Sequence, residues 1–231
     1  MFVTVQDFSI QPYLLPNLTD LGTGFTDYVD DMEESLLRDL LGSDLYDAFI
    51  AGLDAITLYD ATVETVIGNQ YGYGNDIWEA LTEQTGTNPV EGADWTLIES
   101  GNRWLKLKNG ADYTYNERVY QWKGMVALIK PYIYSNWVKD NFDNFTGIGL
   151  TIAKAENAMV ISPATRIIQA WNASARIAGD AYCLKDTLYG YLYVASFDGT
   201  FDDTFDETFD TLIEYMSFSF KGIGVMNNLD I

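Results

Sequence analysis

The residues of this chain best suited to chemistry are carboxylates placed beside aromatic rings. Two such groups lie close together in the sequence: Asp76, Trp78 and Glu79, and then Asp94, Trp95 and Glu99. Two acids flanking a sugar that stacks on an indole ring are the arrangement of a glycoside hydrolase. With 34 Asp and Glu among 231 residues, such pairs also arise by chance. An acidic carbohydrate-binding or carbohydrate-active protein is therefore kept as the alternative function.

Other catalytic chemistries are restricted by composition, because the chain has no histidine and one cysteine, Cys183. Without histidine there is no Ser-His-Asp or Cys-His nucleophilic site and no HExxH metal site. One cysteine makes neither an intramolecular disulfide nor a Cys-x-x-Cys metal site. Cys183 falls within a predicted helix, and we interpret it as a core residue. We expect no catalytic residue, no cofactor and no metal ligand, and thus a protein that is not an enzyme.

An acidic repeat, FDGTFDDTFDETFDT, occupies residues 197–211 and is called here the FDxT tract. Its density of aspartate suggests calcium, but the Asp-x-Asp-x-Asp-Gly spacing of a calcium loop is absent. A helix would place four aspartates at i, i+4, where like charges repel. We therefore predict an extended or loop conformation for a solvated acidic segment. A docking strip for a partner subunit and a metal site are the alternatives.

A second unusual stretch interleaves aromatic and basic side chains over residues 103–123. This pattern is typical of single-stranded nucleic-acid binding, but a net charge of −21 opposes a phosphate-neutralising surface. A subunit interface is our interpretation, and plain surface around a helix core stays open as the alternative. The residues expected at the interface, three of them from a predicted hairpin, are Arg103, Trp104, Lys106, Tyr113, Tyr115, Ile148, Leu150 and Met159.

Charge is distributed unevenly along the chain. The first 102 residues hold 19 carboxylates and one cation, Arg38, and residues 103–191 hold 11 cations and 7 carboxylates. The last 40 residues hold one lysine and eight acids. Concentrating like charge destabilises a compact monomer, whereas complementary patches direct the association of subunits. The distribution indicates a component of an assembly.

The hydrophobic pattern predicts a single domain, 1-231, that is mainly α, with a helical core of about five helices, a small β-hairpin and a loop-rich insertion. Its expected parts are an extended N-terminal arm with an edge strand (1-24), helices (25-68), the loop-rich insertion (69-115), long helices (116-195) with a hairpin (148-161), the acidic FDxT loop (196-211) and a C-terminal element (212-231).

The strongest helix signals lie near the beginning of the chain. Apolar residues at helical spacing predict a helix over 25–41, and Gly42 followed by Ser43 predicts a tight corner into a second helix. The aspartates of the first helix are expected near the positive end of its dipole. A third, shorter helix is expected over 58–67.

Later signals are a mixture of strand and helix. Residues 104–108 alternate and predict a strand, and Asn116 is expected to cap a helix that reaches about 141. Pro131 should kink that helix. Ser162 followed by Pro163 predicts the start of a helix that continues to Tyr189 or beyond.

Three stretches together resemble the head–tail connector proteins of tailed bacteriophages, also called adaptor or head-completion proteins, in particular those of phages that infect Bacteroidetes. The first is FTDYVDDMEESLLRDLLGSDLY at 25–46, a helix pair with a glutamate in mid-helix and a Leu-Leu-Gly corner. The second is 104–134, where Lys-Asn-Gly-x-x-Tyr at 108–113 precedes Trp-Lys-Gly and an aromatic helix. The third is the Gly-Ile-Gly to Glu-Asn link at 147–157, with Ser162 opening a long helix and an Asn-rich end. The segment 69–103 and the FDxT tract depart from the family pattern.

The resemblance implies a mostly helical subunit that forms a homo-oligomeric ring, typically a dodecamer, below the portal protein. Such a ring extends the DNA channel, joins further ring or tail proteins, and lets genomic DNA pass without specific binding. The implied location is the neck of the virion, between capsid portal and tail, after synthesis in the host cytoplasm and without any membrane. A carboxylate-rich channel wall repels phosphates, which agrees with the acidity of the chain. We expect 103–137 and the hairpin 148–161 to contact neighbours and part of the acidic surface to face the lumen.

Overall fold

The computed structural model of the chain describes residues 2–15, 22–140, 163–179, 184–197, 200–201 and 222–226. Within these ranges the α-helices are α1 (Gly22–Leu41), α2 (Ser43–Asp54), α3 (Arg103–Asn109), α4 (Met125–Asp140), α5 (Pro163–Ala178) and α6 (Leu188–Ala195). The strands are β1 (Gln70–Tyr73), β2 (Asp76–Ala80), β3 (Trp95–Glu99), β4 (Ala111–Tyr115) and β5 (Arg118–Trp122).

The fold is therefore mixed α and β, and the prediction of a mainly α protein is wrong. The first three strands form one antiparallel sheet in the order β1-β2-β3, and β4 pairs with β5 in a second, two-stranded sheet. Four of the five strands lie in the segment 69–115 that we expected to be a loop-rich insertion. Short strands separated by glycine-rich turns carry too few residues for their alternation to be evident in the sequence.

Helices α1 and α2 confirm the first two predicted helices and the corner between them. Gly42 has φ 74°, a left-handed value that lets the chain turn sharply between the helices. The buried face of α1 includes Phe25, Val29 and Leu40. Because α1 begins at Gly22, its first turn contains no acidic residue. The aspartates from Asp27 onward therefore lie beyond the reach of the helix dipole, contrary to our expectation.

The N-terminal arm forms a short 3-10 helix, Val5–Ser9, in place of the predicted edge strand. At the start of this helix, the side chain of Asp7 accepts a hydrogen bond from the amide of Thr4 at 2.8 Å and completes a capping box. Val3 and Phe8 are fully buried. The arm is thus fixed to the body of the protein through its apolar side chains.

The predicted third helix at 58–67 is absent from the structure. Asp60 accepts hydrogen bonds from both the amide and the hydroxyl of Thr62, which makes a tight turn. Val63 and Ile67, assigned to the buried face of that helix, are each 58% exposed. The apolar spacing there matched a helix by coincidence.

Residues 104–108 form part of helix α3 and not the predicted strand. The side chain of Asn102 caps the helix by accepting from the amides of Trp104 at 3.0 Å and Leu105 at 3.2 Å. Trp104, Leu105 and Leu107 are all buried. Burial of two consecutive residues is incompatible with a strand that has one face in water.

Strands β4 and β5 form a hairpin. β4 lies at the end of the segment that we expected to be loop-rich, and β5 lies where we expected the start of a long helix. Asn116 and Glu117 both have positive φ, at 48° and 63°, so they form the two-residue turn and Asn116 does not cap a helix. Helix α4 begins later, at Met125, and contains Pro131 in its interior. Where the hairpin joins its flanking helices, a Cβ on Gly124 would lie 2.6 Å from the carbonyl carbon of Asn109.

Helices α4 and α5 pack along each other, and the hydroxyl of buried Ser174 donates to the carbonyl oxygen of Leu128 at 2.8 Å. Helix α5 begins at Pro163, as predicted. It ends before Gly179, whose φ is 74°, so the prediction that it continues to Tyr189 is wrong. The next helix, α6, is separate and begins after Thr187, whose hydroxyl accepts from the amide of Gly190 at 3.0 Å.

One hydrophobic core joins the arm, the helices and the inner face of the hairpin. Several predictions lie outside the described residues: the hairpin 148–161, the burial of Cys183, the conformation of the FDxT tract beyond Phe201, and most of the C-terminal element.

Candidate functional site

A cavity of about 250 Å³ opens between α3, β4 and α6. Its lining combines two cations, one carboxylate, two tyrosines and small or apolar side chains: Gly101, Arg103, Lys106, Asp112, Tyr113, Thr114, Tyr191, Val194, Ala195 and Thr200. Three of the residues predicted for a subunit interface, Arg103, Lys106 and Tyr113, are therefore brought together here. The α6 residues were not predicted, because they are remote in sequence and carry no local signal.

At one wall of the cavity, Arg103 contacts two described residues, Thr200 and Trp104. Its Nη1 donates to the carbonyl oxygen of Thr200 at 2.7 Å, and its guanidinium carbon lies 4.5 Å from the ring centre of Trp104. Trp104 itself is only 8% exposed and packs against Phe49 and Phe201. Of the two neighbours, Arg103 thus lines the cavity, whereas Trp104 belongs to the core.

Lys106 lies on the same side of α3, with its ammonium group close to the main chain at Gly101. A Cβ placed on Gly101 would approach Nζ to 2.4 Å, and the glycine has φ 73°. The absence of a side chain at this position leaves room for the lysine. Among the described residues, the lining of the cavity thus holds two cations, Arg103 and Lys106, and one carboxylate, Asp112.

Tyr113 joins the hairpin to the turn that precedes α6. Its hydroxyl donates to the carbonyl oxygen of Leu184 and accepts from the amide of Thr187 at 3.4 Å. Burial raises the pKa of Tyr113, since the charged phenolate is poorly solvated there. The ring also contacts that of Tyr191, with 6.1 Å between centroids. Tyr113 therefore lines the cavity and also links the hairpin to α6.

The other predicted interface residues are placed as follows. Tyr115 is half-buried at the end of β4, and its ring packs edge-on against Tyr193 of α6 with 5.9 Å between centroids. It is near the cavity but does not line it. Ile148, Leu150 and Met159 lie outside the described residues.

The carboxylates considered for carbohydrate chemistry are used within the three-stranded sheet. Asp76 accepts from the amide of Gly101 at 2.7 Å, and Asp94 accepts from the hydroxyl of Thr82 at 2.9 Å. Trp95 is 1% exposed, so its indole offers no face to a sugar ring. The geometry thus gives these groups a structural role and does not favour a glycoside-hydrolase arrangement.

Exposed acids cover helices α1 and α2. Eight carboxylates are exposed on these two helices: Asp27, Asp30, Asp31, Glu34, Asp39, Asp44, Asp47 and Asp54. Arg38 is the one cation in their sequence, and it pairs with Glu34 at 2.7 Å and with Asp47 at 3.0 Å. The first four of these acids lie on one stripe of α1 and are called here the acidic stripe.

In the part of the chain that the structure describes, no three side chains of the metal-binding types are grouped around a common point. Among the helices of these same ranges, none combines the length and the apolar character needed to cross a bilayer.

Comparison with known proteins gives no relative: no family model, no curated protein and no solved structure matches this chain.

Proposed function

We propose that this protein is a structural subunit that assembles with copies of itself into a ring below the portal of a tailed bacteriophage and joins head to tail. The resemblance of its sequence to head–tail connector proteins motivates the proposal. The observation that supports it best is the separation of charge in the folded chain. Exposed carboxylates occupy α1 and α2, whereas α3 carries three cations, Arg103, Lys106 and Lys108, and no acid.

The acidic stripe is unfavourable for an isolated subunit. Asp27, Asp30, Asp31 and Glu34 are spaced so that their carboxylates are neighbours on one side of α1. Each like-charged pair at this spacing destabilises a helix by about 0.2–0.5 kcal/mol. These residues lie past the first helical turn, where the dipole no longer compensates them. A neighbouring surface of opposite charge would turn this cost into an attraction.

The chain itself carries such a surface. Residues 103–123 hold five cations and two acids, and the cations are Arg103, Lys106, Lys108, Arg118 and Lys123. Because the acidic and basic surfaces belong to different elements, a contact between them is head-to-tail. Repeated head-to-tail contacts close into a ring when the rotation between subunits permits it.

The remaining expectations of the resemblance belong to the same proposal. The ring is a dodecamer in the virion neck, and it binds the portal protein on one side and further ring or tail proteins on the other. Genomic DNA passes through it without specific binding, because carboxylates facing the lumen repel phosphates.

The test is the mass of the purified protein, measured by native mass spectrometry alone and with the portal protein of the same virus. We expect a closed ring of one stoichiometry, or its formation on the portal. Raising the salt concentration from about 0.1 M to about 1 M shortens the Debye length from ~10 Å to ~3 Å, so assembly should weaken. A chain that stays monomeric in both measurements would contradict the proposal.

A matched pair of charge-reversal variants tests the role of the acidic stripe. One variant replaces Asp27, Asp30 and Asp31 by lysine. The control replaces three exposed acids of the region 57–94 by lysine, with the same change in net charge: Glu64, Glu83 and Glu91. The first variant should lose assembly and the control should retain it. Equal behaviour of the two variants would refute a contact through the stripe.

A further inference from the structure

We propose that a second cavity of this protein binds a small organic anion that carries a ring, such as an aromatic carboxylate. The cavity has a volume of about 370 Å³ and lies between the N-terminal arm, α4 and α5. The polar and ring-bearing residues of its lining are Gln11, Pro12, Tyr13, Tyr134, Arg166 and Gln169. It shares no lining residue with the cavity beside α3, and a ligand here is independent of the proposed function.

The hydroxyl of Tyr134 is the most informative group of this cavity. Tyr134 is only 4% exposed, and among the described residues nothing forms a hydrogen bond with its hydroxyl. The side-chain atoms that are fully enclosed without a partner in the described chain are all nitrogens of tryptophan and glutamine. The Tyr134 oxygen is therefore not enclosed, and it opens into the cavity that the residue lines. Buried hydroxyls normally have a partner, so a ligand that accepts a hydrogen bond fits here.

Tyr13 of the arm lies beside Tyr134, with 5.5 Å between the ring centroids. Burial raises the pKa of Tyr13, and the neighbouring Tyr134 raises it further, so this hydroxyl stays protonated at neutral pH and can donate. The two rings and Pro12 form the apolar part of the lining. Tyrosine rings favour a flat partner in an offset or edge-on arrangement, so the body of the ligand is expected to contain a ring.

The charge of the cavity is positive. Arg166 lines it, is exposed, and has neither a hydrogen bond nor an ion pair within the described ranges. Lys130 precedes Tyr134 by one turn on the same side of α4, and its Nζ lies 5.9 Å from the ring centre of Tyr13. No carboxylate belongs to the lining as far as the structure describes it. An anionic ligand is therefore favoured over a neutral or cationic one.

The acids of the surrounding elements are engaged elsewhere. Residues 2–15, α4 and α5 together hold two acids, Asp7 and Asp140, against four cations, Lys130, Lys139, Arg166 and Arg176. Asp7 accepts from the amide and the hydroxyl of Thr4, and Asp140 accepts from the hydroxyl of Tyr28 at 3.0 Å. The guanidinium of Arg166 is thus available for a paired interaction with a carboxylate. The amide of Gln169 adds a donor on the same helix.

The first measurement is the binding of sodium benzoate to the intact protein by saturation-transfer difference NMR, which works in any state of assembly. Benzamide has the same ring without the charge, and inorganic phosphate has charge without a ring. We expect saturable binding of benzoate, roughly tenfold weaker binding of benzamide, and no displacement of benzoate by an equal concentration of phosphate. No saturable signal from benzoate up to about 10 mM would overturn the inference. Equal binding of benzamide would also overturn it, as would displacement by phosphate.

A matched pair of arginine variants locates the site. Arg166→Gln removes the cation of the cavity, whereas Arg176→Gln removes an exposed cation of the same helix that does not line it. Both substitutions change the net charge equally, and both lie on the surface of α5. We expect benzoate to bind roughly tenfold more weakly to Arg166→Gln and normally to Arg176→Gln. Equal affinities of the two variants place the bound benzoate elsewhere and refute this site.

Tyr134→Phe separates a ligand-binding role from a structural one. The substitution removes only the hydroxyl, which has no partner among the described residues, so the midpoint of urea denaturation should not fall. Benzoate should bind roughly fivefold more weakly, because the hydrogen bond to its carboxylate is lost. A variant that is less stable but binds benzoate normally would show that the hydroxyl serves the fold, contrary to the inference. None of these outcomes alters the ring proposal.

Discussion

Replacement of Glu33 by alanine should release the N-terminal arm from the body of the protein. Glu33 is 4% exposed in the middle of α1, and its carboxylate accepts hydrogen bonds from the main chain of the arm. Oε1 accepts from the amide of Phe2 at 2.8 Å, and Oε2 accepts from the amides of Phe2 at 2.9 Å and Val3 at 3.1 Å. A charged acceptor that serves two amides is therefore lost together with its side-chain volume.

The magnitude follows from these two amides. A hydrogen bond to a charged group contributes about 1.5–3 kcal/mol, so the loss of both gives about 3–6 kcal/mol. The arm lies near one end of the described chain and can fray, so the cost is limited to the free energy that docks it. We expect Glu33→Ala to lower the free energy of unfolding by about 3 kcal/mol, and Tm by roughly 6–12 °C in a chain of this size. Glu33→Gln retains one acceptor oxygen and should cost about half as much.

The assay is urea denaturation followed by circular dichroism, with amide hydrogen exchange as the local readout. Exchange should accelerate in Glu33→Ala at residues 2–8 more than in α4. Glu34→Gln is the matched control, because this neighbour is exposed and its ion pair with Arg38 lies at the surface. The reasoning fails if Glu33→Ala is as stable as the control, or if exchange in the arm is unchanged.

Two other predictions concern backbone geometry and alkaline pH. Gly124→Ala should lower the free energy of unfolding by about 2 kcal/mol or more, because Gly124 has a φ of 86° and the new Cβ would meet the main chain of Asn109. Gly74→Ala is the control: its φ is 62° but the space around it is open, so it should cost only about 1 kcal/mol. Urea denaturation of both variants tests this difference. Burial and a hydrogen bond to Asp140 raise the pKa of Tyr28, so its contribution is complete below the usual phenol pKa of about 10 and is lost as pH rises beyond it. The free energy of unfolding should therefore fall above about pH 10, and a slope that Tyr28→Phe does not reduce would contradict this assignment.

Helices α1 and α2 were predictable because every determinant is local. The apolar residues of α1 recur at helical spacing over five turns, and Gly42 supplies the one backbone conformation that the corner requires. Neither signal depends on what the helices pack against. Pro163 worked in the same way for the start of α5.

The sheet β1–β3 was missed because its residues take their roles from tertiary contacts. In the sequence Gly72 suggests a loop, but it lies inside β1. A glycine is needed there because a Cβ would come within 2.7 Å of the side chain of Ile56. Trp78 and Glu79 on β2 resemble a catalytic pair in sequence, but the strand places them on opposite faces of the sheet. Sequence alone does not reveal which small residue marks a close approach and which marks a turn.

The sequence of 116–122 predicts a helix, whereas the structure has a turn and β5, because the helical and strand periods agree over such a short distance. Val119, Trp122 and Val126 are separated by three and four residues, which fits a helical face. In the structure Val119 is 68% exposed and Trp122 is 1% exposed, so they do not share a face. The turn contributes to the error, because Asn116 and Glu117 adopt positive φ without a glycine. The residues that α3 and β4 contribute to the cavity were predicted to lie together because they are close in sequence. Those of α6 were not, because they are about 80 residues further along the chain and only the tertiary fold brings them to the cavity.

The side-chain links between the hairpin and the turn before α6 have a mechanical consequence. The hydroxyl of Tyr113 holds Leu184 and Thr187, and the carboxylate of Asp186 holds the far strand through Gln121. Both strands are therefore tethered to one short turn. A displacement of either strand would therefore be transmitted to the beginning of α6, and the hairpin and α6 are expected to move together.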